Sequence, residues 1–489
     1  MTPASRVPAR HQATTASSRP EPGLRPVNTA AILAIVLVSF FMVILDNSIL
    51  FTGLPHIQRS LGLTDTGLSW TSNAYTLVFG GLLLLGARSG DLLGRRRMFI
   101  WGLAIFSLAS LLVGVAPTGW WMIAARALQG TGAAVVAPLS LSLLTTSFPE
   151  GRERSRAVSY YGATAGIGAA VGLLVGGALT EWVSWRAGFL INIPIGIAVI
   201  AATVRHVPET PRKTGRFDIT GAILSTLGVG MIVFGVVSSA GRDWASPLTM
   251  WPVAAGVVLL ALLIANEARA RQPILPLRVF RSRERSGAYI GRLLFGAAMM
   301  SFFYFTSQFL QSAYHYTPFR TGMAFLPMTI ASFLLAVNVP RLMRRFGSAG
   351  LMTVGFVLLL CGLGWLSQIH PDSPYLTGIA LPMVVFGVGQ GLTLGPLTGA
   401  GVTGATDDLA GPASGLVNTT QQLGGSIGIA TLVAVTASVG GSPVEQVATA
   451  YTGGTLFTAG ALAATLILIV PSALARRRAT SIRPAHASQ

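Results

Sequence analysis

Long apolar runs recur along this 489-residue chain and are separated by short polar segments. A run of about 20 apolar residues is what an α-helix needs to cross the hydrocarbon core of a bilayer. The first run is too long for the core of a signal peptide and leads to no small-residue cleavage site, so we interpret it as an uncleaved span. The pattern predicts fourteen spans, at residues 29–52, 68–87, 98–116, 119–144, 157–180, 187–204, 219–240, 249–266, 287–312, 321–340, 349–369, 375–400, 413–437 and 454–475.

The composition supports an all-α integral membrane protein. Hydrophobic residues make up 52% of the chain and charged residues only 10%, against about 25% charged in a soluble domain. The net charge of +18 does not indicate a nucleic-acid partner, because the basic residues form no continuous patch. The lone cysteine, Cys361, lies in an apolar run, so neither a disulfide framework nor a cysteine-based metal site is expected.

The basic residues orient the predicted spans. If both termini are cytoplasmic, 28 of the 34 basic residues fall in the tails or in loops on the cytoplasmic side, as expected from the enrichment of arginine and lysine in cytoplasmic loops. The exceptions are Arg59, Arg186, Arg242 and Arg320, which fall outside, and Arg126 and Arg292, which lie within spans. We expect Arg292 to reach the inner surface, which leaves Arg126 as the basic residue deep in the membrane.

The layout predicts six spans, two inserted spans and six more. The corresponding segments are a disordered cytoplasmic tail (1–28), an N-terminal six-helix bundle (29–204), two inserted helices with flanking loops (205–286), a C-terminal six-helix bundle (287–475) and a cytoplasmic tail (476–489). Both bundles reach a basic loop after their second span, GDLLGRRR at 90–97 and PRLMRRFG at 340–347, as expected of duplicated transporter halves. The second loop has no acid.

Asp46 stands inside the first apolar run, in the stretch ILDNSILFTGLP from Ile44 to Pro55. No other acidic residue lies as deep in such a run. An ionised carboxylate in hydrocarbon costs about 2.5–3.5 kcal/mol even on the permissive insertion scale, so it persists only where it is paired, hydrated or functional. We therefore predict that Asp46 is the group that binds and releases a proton.

Arg126 opens the stretch RALQGTGAAVVAP in the fourth span. Counted at 1.5 Å per residue, Asp46 and Arg126 both come out roughly 5–10 Å below the outer boundary. Two lone opposite charges at matching depth are expected to be partners or close neighbours. The alternative is a static ion pair that only holds spans one and four together.

The loop between spans two and three reads ARSGDLLGRRR. Its glycines, Gly90 and Gly94, permit a tight turn, and Asp91 is positioned to accept hydrogen bonds from Arg95 or Arg96 or to lie at a helix N-terminus. We predict that these charges form a cytoplasmic gate. The alternative is a basic loop that only sets topology.

Two further sets of residues are candidates for the transport path. Gly168, Gly172, Gly176 and Gly177 line span five at helical spacing, so a neighbouring helix can approach closely and seal one side of a cavity. Polar and aromatic residues suited to a mixed polar and apolar cavity are Asn47, Trp70, Asn73, Tyr75, Gln129, Asn192, Gln308 and Gln311. For each of these the alternative is an ordinary contact between helices.

Taken together these stretches resemble the major facilitator superfamily, in particular its fourteen-span drug:proton antiporter branch. ILDNSILFTGLP resembles that branch's span-one motif LDxTxVNxALP, with Phe51 in place of the usual Asn. ARSGDLLGRRR is similar to the superfamily's loop motif, and RALQGTGAA to its span-four motif. GAAVGLLVGG at 168–177 is similar to the antiporter motif of span five, with Leu173 in place of the usual proline.

The resemblance implies two six-helix bundles around a central cavity, two extra helices at the periphery and alternating access. It also implies that Asp46 is the proton site and Arg126 its electrostatic partner, and that the span-five motif accompanies export. The expected protein is a plasma-membrane antiporter, functional as a monomer, that exchanges protons for small amphipathic, cationic compounds. No cofactor and no catalytic or metal site is expected.

Three alternatives remain at this point. The first is a dedicated exporter of one endogenous metabolite or antibiotic, and the second is uptake by proton symport, which the glycines of span five disfavour. The third is a non-transporting receptor or an intramembrane enzyme, although the sequence contains no recognisable nucleotide loop, metal-ligand cluster or nucleophile with a base.

Overall fold

The computed structural model describes residues 28–149, 151–210, 212, 215, 217–240, 244–270, 273–370 and 373–481. Within these ranges the chain is helical and has no β-strand. Apart from Asn28, the expected N-terminal tail lies outside the described residues. At the other end the last helix runs on to Ser481, beyond the predicted end of the span at residue 475.

The N-terminal half contains six spans, and the last of them is broken into two helices at Ile191. The helices are α1 (Thr29–Leu61), α2 (Asp65–Leu93), α3 (Arg95–Gly114), α4 (Gly119–Ser147), α5 (Arg152–Trp182), α6 (Trp185–Leu190) and α7 (Asn192–His206). The inserted pair follows as α8 (Ile219–Ser238) and α9 (Pro247–Arg269). Several helices are longer than the predicted spans because a helix continues into its polar ends, which an apolar run does not detect.

The C-terminal half follows a short 3-10 turn, Leu277–Arg281. Its helices are α10 (Arg283–Ser312), α11 (Pro318–Ala324), α12 (Leu326–Leu366), α13 (Leu381–Val402), α14 (Asp407–Val439), α15 (Pro443–Ala464) and α16 (Val470–Ser481). One π-helical turn, Leu376–Ala380, leads into α13, and another, Thr465–Ile469, joins α15 to α16.

Thirteen helical stretches of the described chain are long and apolar enough to cross a membrane, and one of them is two spans. That stretch, Pro318–Leu366, has 49 residues and would be about 74 Å long as a straight helix, more than twice the hydrocarbon thickness. It breaks at Gly347, where φ is 76° and ψ is 160°. The fold therefore has fourteen crossings, in agreement with the sequence pattern.

The same backbone turn occurs in both halves. Gly94, between α2 and α3, has φ 101° and ψ 128°, close to the values at Gly347. Only glycine adopts this region without strain. The shared turn at the same place in each half supports the internal repeat that the two basic loops suggested.

The end of the bundle that carries these two turns and their arginines is called the basic face below. At the other end, the opposite face, the halves are in direct contact: a Cβ on Gly177 of α5 would lie 2.5 Å from the carbonyl oxygen of Pro318 at the start of α11. On the other side of the molecule, α2 packs along α14, where a Cβ on Gly80 would lie 3.0 Å from Cβ of Gln422.

The inserted pair covers one of these two seams. In α8, Thr226 lies so close to α2 that a Cβ on Gly81 would overlap its hydroxyl. The apolar cluster around Val229 and Val233 also includes Ala430 of α14, so α8 contacts both halves. Helix α9 packs on α8 through Gly256.

We expect Gly347→Ala to destabilise the protein, because a residue with a Cβ is strained in this region by about 1–3 kcal/mol. The measurement is the thermal unfolding midpoint of the purified protein in detergent. Gly350→Ala, three residues along, is the matched control, since a Cβ there would meet nothing within 4 Å. Equal midpoints for the two variants would contradict the role of the turn.

Candidate functional site

An ion pair lies at the centre of the N-terminal half. Arg126 Nη1, in α4, donates to Asp46 Oδ2, in the middle of α1, at 2.5 Å. Both side chains are 0% exposed. The two charges that the sequence placed at matching depth are therefore in direct contact.

Two amide side chains complete the surroundings of the carboxylate. Gln129 Nε2, one turn after Arg126 in α4, donates to Asp46 Oδ1 at 2.7 Å. Asn192 Nδ2, the first residue of α7, donates to the same oxygen at 2.9 Å. Three N–H groups thus point at Asp46, which is the arrangement that an ionised, acceptor-only carboxylate requires.

The guanidinium of Arg126 is itself held on several sides. Its Nε donates to the carbonyl oxygen of Thr71 at 3.0 Å, and Nη1 also donates to Gln129 Oε1 at 2.6 Å. Its plane lies over the ring of Tyr75, 4.3 Å from the ring centroid, and Phe189 is 5.7 Å away. These contacts fix the position of the cation beside Asp46.

The glycines of the RALQGTGAA stretch explain how the helices come close enough to share these bonds. A Cβ on Gly130 would lie 2.6 Å from the carbonyl oxygen of Tyr75 in α2, and a Cβ on Gly132 would lie 2.6 Å from the backbone nitrogen of Phe106 in α3. The backbones of α2 and α3 therefore touch α4 directly. This brings polar groups from α1, α2, α3, α4 and α7 to one point.

Three of the predicted cavity residues belong to this cluster. Gln129 and Asn192 bind the carboxylate, and Tyr75 lies under the guanidinium; all three are 0% exposed. They are packed inside the N-terminal half in this conformation. The neighbouring Asn47 is partly buried, and its Nδ2 donates to the carbonyl oxygen of Val43 at 3.3 Å.

The other four predicted cavity residues lie apart from the cluster. Trp70 packs on Phe234 of the inserted helix α8, with 6.1 Å between ring centroids. Asn73 Oδ1 accepts a hydrogen bond from Ser426 of α14 at 3.4 Å, across the seam between the halves. Gln311 also joins the halves, whereas Gln308 lines a cleft of about 140 Å³ near the opposite face.

The glycines of α5 pack against α1 beside Asp46. A Cβ on Gly172 would lie 2.6 Å from Cβ of Ser48, and a Cβ on Gly176 would lie 2.6 Å from Cα of Ile49. Gly168 faces Ile44 in the same way. The glycine face therefore holds α5 against the turn of α1 that carries the carboxylate, while Gly177 points to the other half.

Contacts between the halves close the opposite face. Ser307 Oγ of α10 donates to the carbonyl oxygen of Phe51 at 2.6 Å, and Gln311 Nε2 donates to that of Thr52 at 3.0 Å. The Phe51 ring, at the position where the related motif has Asn, stacks on Phe303 with 5.6 Å between centroids. Both acceptor carbonyls belong to α1, within two turns of Asp46.

The predicted gate motif lies at the basic face. Arg95 Nη2 donates to Asp91 Oδ1 at 2.9 Å across the turn at Gly94. Arg96 does not bind Asp91 through any contact described; its Nη2 donates to the carbonyl oxygen of Val204 at 2.6 Å. The close ion pair joins α2 to α3 within one half.

The sequence interpretation missed Glu209, which follows α7. Its carboxylate accepts the backbone N–H groups of Arg96 and Arg97, both at 3.2 Å, and so caps the N-terminus of α3. A carboxylate at this position is favourable because helix N-terminal N–H groups are unpaired and carry partial positive charge. The sequence shows only that α3 begins with three arginines and has no acidic residue in its first turn. This indicates that a cap must come from elsewhere in the chain, but it does not indicate from where.

Two other polar residues were missed or placed differently. Ser110 of α3 accepts hydrogen bonds from both amides that bind Asp46, although nothing in its surrounding sequence distinguishes it. Arg292 was expected to reach the inner surface, but it is 5% exposed. Its Nη1 donates to the carbonyl oxygen of Leu394 at 3.4 Å because α13 packs over it.

Comparison with known proteins identifies the class. The family model of the Major Facilitator Superfamily matches residues 36–429. The chain therefore belongs to this superfamily, and it is a multi-pass membrane transporter and not an enzyme. Solved structures with the same fold include the nucleoside transporter NupG, with a TM-score of 0.64 and 12% identity over 90% of this chain and 99% of that one. A peptide transporter POT has a TM-score of 0.66 and 17% identity over 93% of this chain and 95% of that one.

Curated relatives are more similar in sequence. The chain is 39% identical to the cephamycin export protein CmcT of Amycolatopsis lactamdurans, over 85% of this chain and 87% of the relative. It is 36% identical to the puromycin resistance protein pur8 of Streptomyces alboniger, over 89% and 90%. It is 33% identical to the multidrug resistance protein Stp of Mycobacterium tuberculosis (strain ATCC 25618 / H37Rv), over 82% and 74%.

The buried ion pair predicts strong energetic coupling between its members. Arg126→Met leaves the carboxylate unpaired, and we expect a loss of about 3–5 kcal/mol of stability. Combining it with Asp46→Asn should cost less than the sum of the two single changes, by about 1–3 kcal/mol. Thermal unfolding of the purified variants in detergent measures this double-mutant cycle, and additive effects would argue against a coupled pair.

The contact at Gly177 predicts a shift in conformation. A Cβ there meets the carbonyl oxygen of Pro318 at 2.5 Å, so Gly177→Leu should move α5 and α11 apart by at least about 1 Å. Spin labels at Val183→Cys and Met323→Cys, in a Cys361→Ser background, report this separation. Gly162→Leu is the control on the same helix, because a Cβ there would meet nothing within 4 Å. Equal distances between the spin labels in the two variants would contradict the predicted separation of α5 and α11.

Proposed function

We propose that the chain is a proton-coupled antiporter that exports small amphipathic, cationic drugs or toxic compounds by alternating access. Asp46 is the proton-binding group and Arg126 its electrostatic partner. The observation that carries this proposal is the fully buried Asp46–Arg126 pair inside a transporter fold. Relatives named for antibiotic export and for multidrug resistance support export as the direction.

The surroundings of Asp46 provide a chemical basis for proton exchange. Burial disfavours the charged carboxylate, whereas Arg126 and the amides of Gln129 and Asn192 favour it. A proton on the carboxylate would replace one acceptor site with an O–H donor and remove the negative charge, so it would weaken the hydrogen bonds from the three N–H groups. We propose that this weakening lets α4 or α7 rearrange around α1 when a proton is taken up.

Asp46 is 0% exposed in the conformation described, so neither substrate nor water reaches it there. We propose that access arises when the opposite face opens. Opening breaks the bonds from Ser307 to Phe51 and from Gln311 to Thr52, which lie about 7.5–9 Å along α1 from Asp46. Competition between proton and substrate then acts through the movement of α1.

The orientation in the membrane follows from the arginines. We propose that the basic face is cytoplasmic, that both termini lie on that side and that the protein resides in the cell membrane as a functional monomer. The Asp91–Arg95 pair, together with Glu209 at the start of α3, then forms the cytoplasmic gate region. Because the opposite face is closed, Asp46 has no path to the outside in this conformation.

A dedicated exporter of one metabolite or antibiotic is a second candidate. It is favoured by the similarity to a relative named for the export of a single antibiotic class, cephamycins. Growth of cells that express the protein, in the presence of chemically unrelated dyes and antibiotics, separates the two candidates. Resistance to several classes supports multidrug export, and resistance to one class supports the dedicated exporter.

The proposal predicts that Asp46→Asn separates substrate movement from the proton gradient. In proteoliposomes energised by a pH gradient, we expect uphill transport to fall to the level of protein-free liposomes, because the amide takes up no proton. Exchange of labelled for unlabelled substrate, which needs no net proton movement, should persist. The release of protons on substrate binding to the purified protein should disappear.

Glu153→Gln is the control for this experiment, since Glu153 is an exposed carboxylate in the first turn of α5. It removes the same charge and should leave uphill transport and proton release intact. Uphill transport that survives Asp46→Asn would refute the assignment of the proton site.

A further inference from the structure

Ser110 is the residue behind both amides that bind Asp46. It lies in α3 and is 0% exposed. Its hydroxyl donates to the carbonyl oxygen of Phe106 at 2.8 Å, and its Oγ accepts from Gln129 Nε2 at 2.8 Å and from Asn192 Nδ2 at 3.3 Å. A serine hydroxyl has one donor and two acceptor sites, so all of its hydrogen-bonding capacity is used.

The direction of these bonds determines which end of each amide faces the carboxylate. Because the proton of Ser110 is committed to Phe106, its Oγ presents only lone pairs to the two amides. Each amide therefore turns its nitrogen toward Ser110, and the same nitrogen donates to Asp46 Oδ1. If an amide turned round, its carbonyl oxygen would face Asp46 and would favour the protonated carboxyl, which has an O–H to donate.

Asn192 depends on Ser110 more than Gln129 does. The Oε1 of Gln129 accepts from Arg126 Nη1 at 2.6 Å, and this bond fixes the orientation of that amide independently. The Oδ1 of Asn192 has no hydrogen-bond partner in the described part of the chain. Its orientation therefore rests on Ser110 and on Asp46 itself.

We propose that Ser110 is a positioning residue that holds Asn192 with its N–H toward Asp46 and thereby sets the pH at which Asp46 exchanges its proton. Within the part of the chain that the structure describes, the charged and titratable groups that face the carboxylate are Arg126 from α4 and Tyr75 from α2. Helix α3 contributes Ser110, α7 contributes Asn192 and α5 faces this turn of α1 with glycines. Ser110 therefore acts on the proton through hydrogen-bond direction and not through charge.

The test measures protonation of Asp46 directly. Infrared difference spectra of the purified protein, recorded across a pH titration, follow the C=O stretch of the protonated carboxyl, and Asp46→Asn identifies which band belongs to Asp46. In Ser110→Ala we expect the midpoint of this band to move to higher pH by about 0.5–1 unit, a change of about 3–10-fold in proton concentration, because the ionised form loses one oriented donor. This readout requires no transport, so it succeeds or fails independently of the proposed export.

Ser107→Ala is the matched control. Ser107 lies one turn earlier on the same helix, is 8% exposed and makes no hydrogen bond with its hydroxyl in the described chain. We expect its titration to match the wild type, and we expect Ser110→Thr, which keeps the hydroxyl, to restore the wild-type midpoint. An unchanged midpoint in Ser110→Ala, or an equal shift in Ser107→Ala, would overturn the proposal.

Asn192→Ala provides a second route that does not depend on the folding of Ser110→Ala. It removes the amide that Ser110 orients, so it should shift the Asp46 midpoint in the same direction. Adding Ser110→Ala to Asn192→Ala should then cause little further change, since both act on one hydrogen bond. A wild-type midpoint in Asn192→Ala, or full additivity of the two shifts, would contradict the mechanism.

Discussion

The N-terminal half is organised around one carboxylate that is fully buried among helices. An ionised group in an apolar interior is stable only if protein dipoles and charges replace its hydration. Five helices therefore contribute polar groups to a single point around Asp46, and this is possible only because small residues let the helices touch. Gly130 and Gly132 bring α2 and α3 onto α4, and Gly172 brings α5 onto α1. The polar cluster stabilises the buried carboxylate, and the glycine motifs allow the helices to come close enough to form that cluster.

The C-terminal half meets a different requirement, although its topology is the same. It has no acid inside a span, and its core is built from stacked and edge-to-face aromatic rings such as Phe302 on Phe386, with centroids 4.3 Å apart. Aromatic packing of this kind stabilises a core without a buried carboxylate. Under the proposed mechanism, proton exchange would be confined to the N-terminal half, and the C-terminal half would contribute mainly the surface that α1 and α5 contact.

The sequence predicted the features that depend on one residue type in an apolar run. The fourteen crossings and the pairing of Asp46 with Arg126 could be predicted because charges are rare in hydrocarbon and their depth can be counted along a helix. The partners that depend on three-dimensional direction could not be predicted. Gln129 and Asn192 were predicted to line a cavity, because the sequence of a span does not indicate which helix an amide side chain will face. Nothing in the sequence around Ser110 indicates that it belongs to the cluster.

Loop contacts were hidden for a related reason. Glu209 caps α3 from a segment more than a hundred residues away along the chain, and no local pattern links the two. Arg292 was expected to reach the surface because it lies near a helix end. Its distance from that end does not indicate that a neighbouring helix, α13, covers the side chain. The direction in which a side chain points is a property of packing, which a single sequence encodes only indirectly.

Helix α1 connects Asp46, the proposed proton site, to the closed face. It carries the carboxylate, the two carbonyl groups that bind Ser307 and Gln311, and the surface on which the glycines of α5 lie. Two sites are energetically coupled when both bias the same element between two arrangements. In the proposed mechanism, a change in the hydrogen bonds at Asp46 and the opening of the opposite face would both act on this helix, within two turns of each other. The proposed coupling would need no pathway through the molecule, because a rigid helix transmits a small rotation at one turn directly to the next.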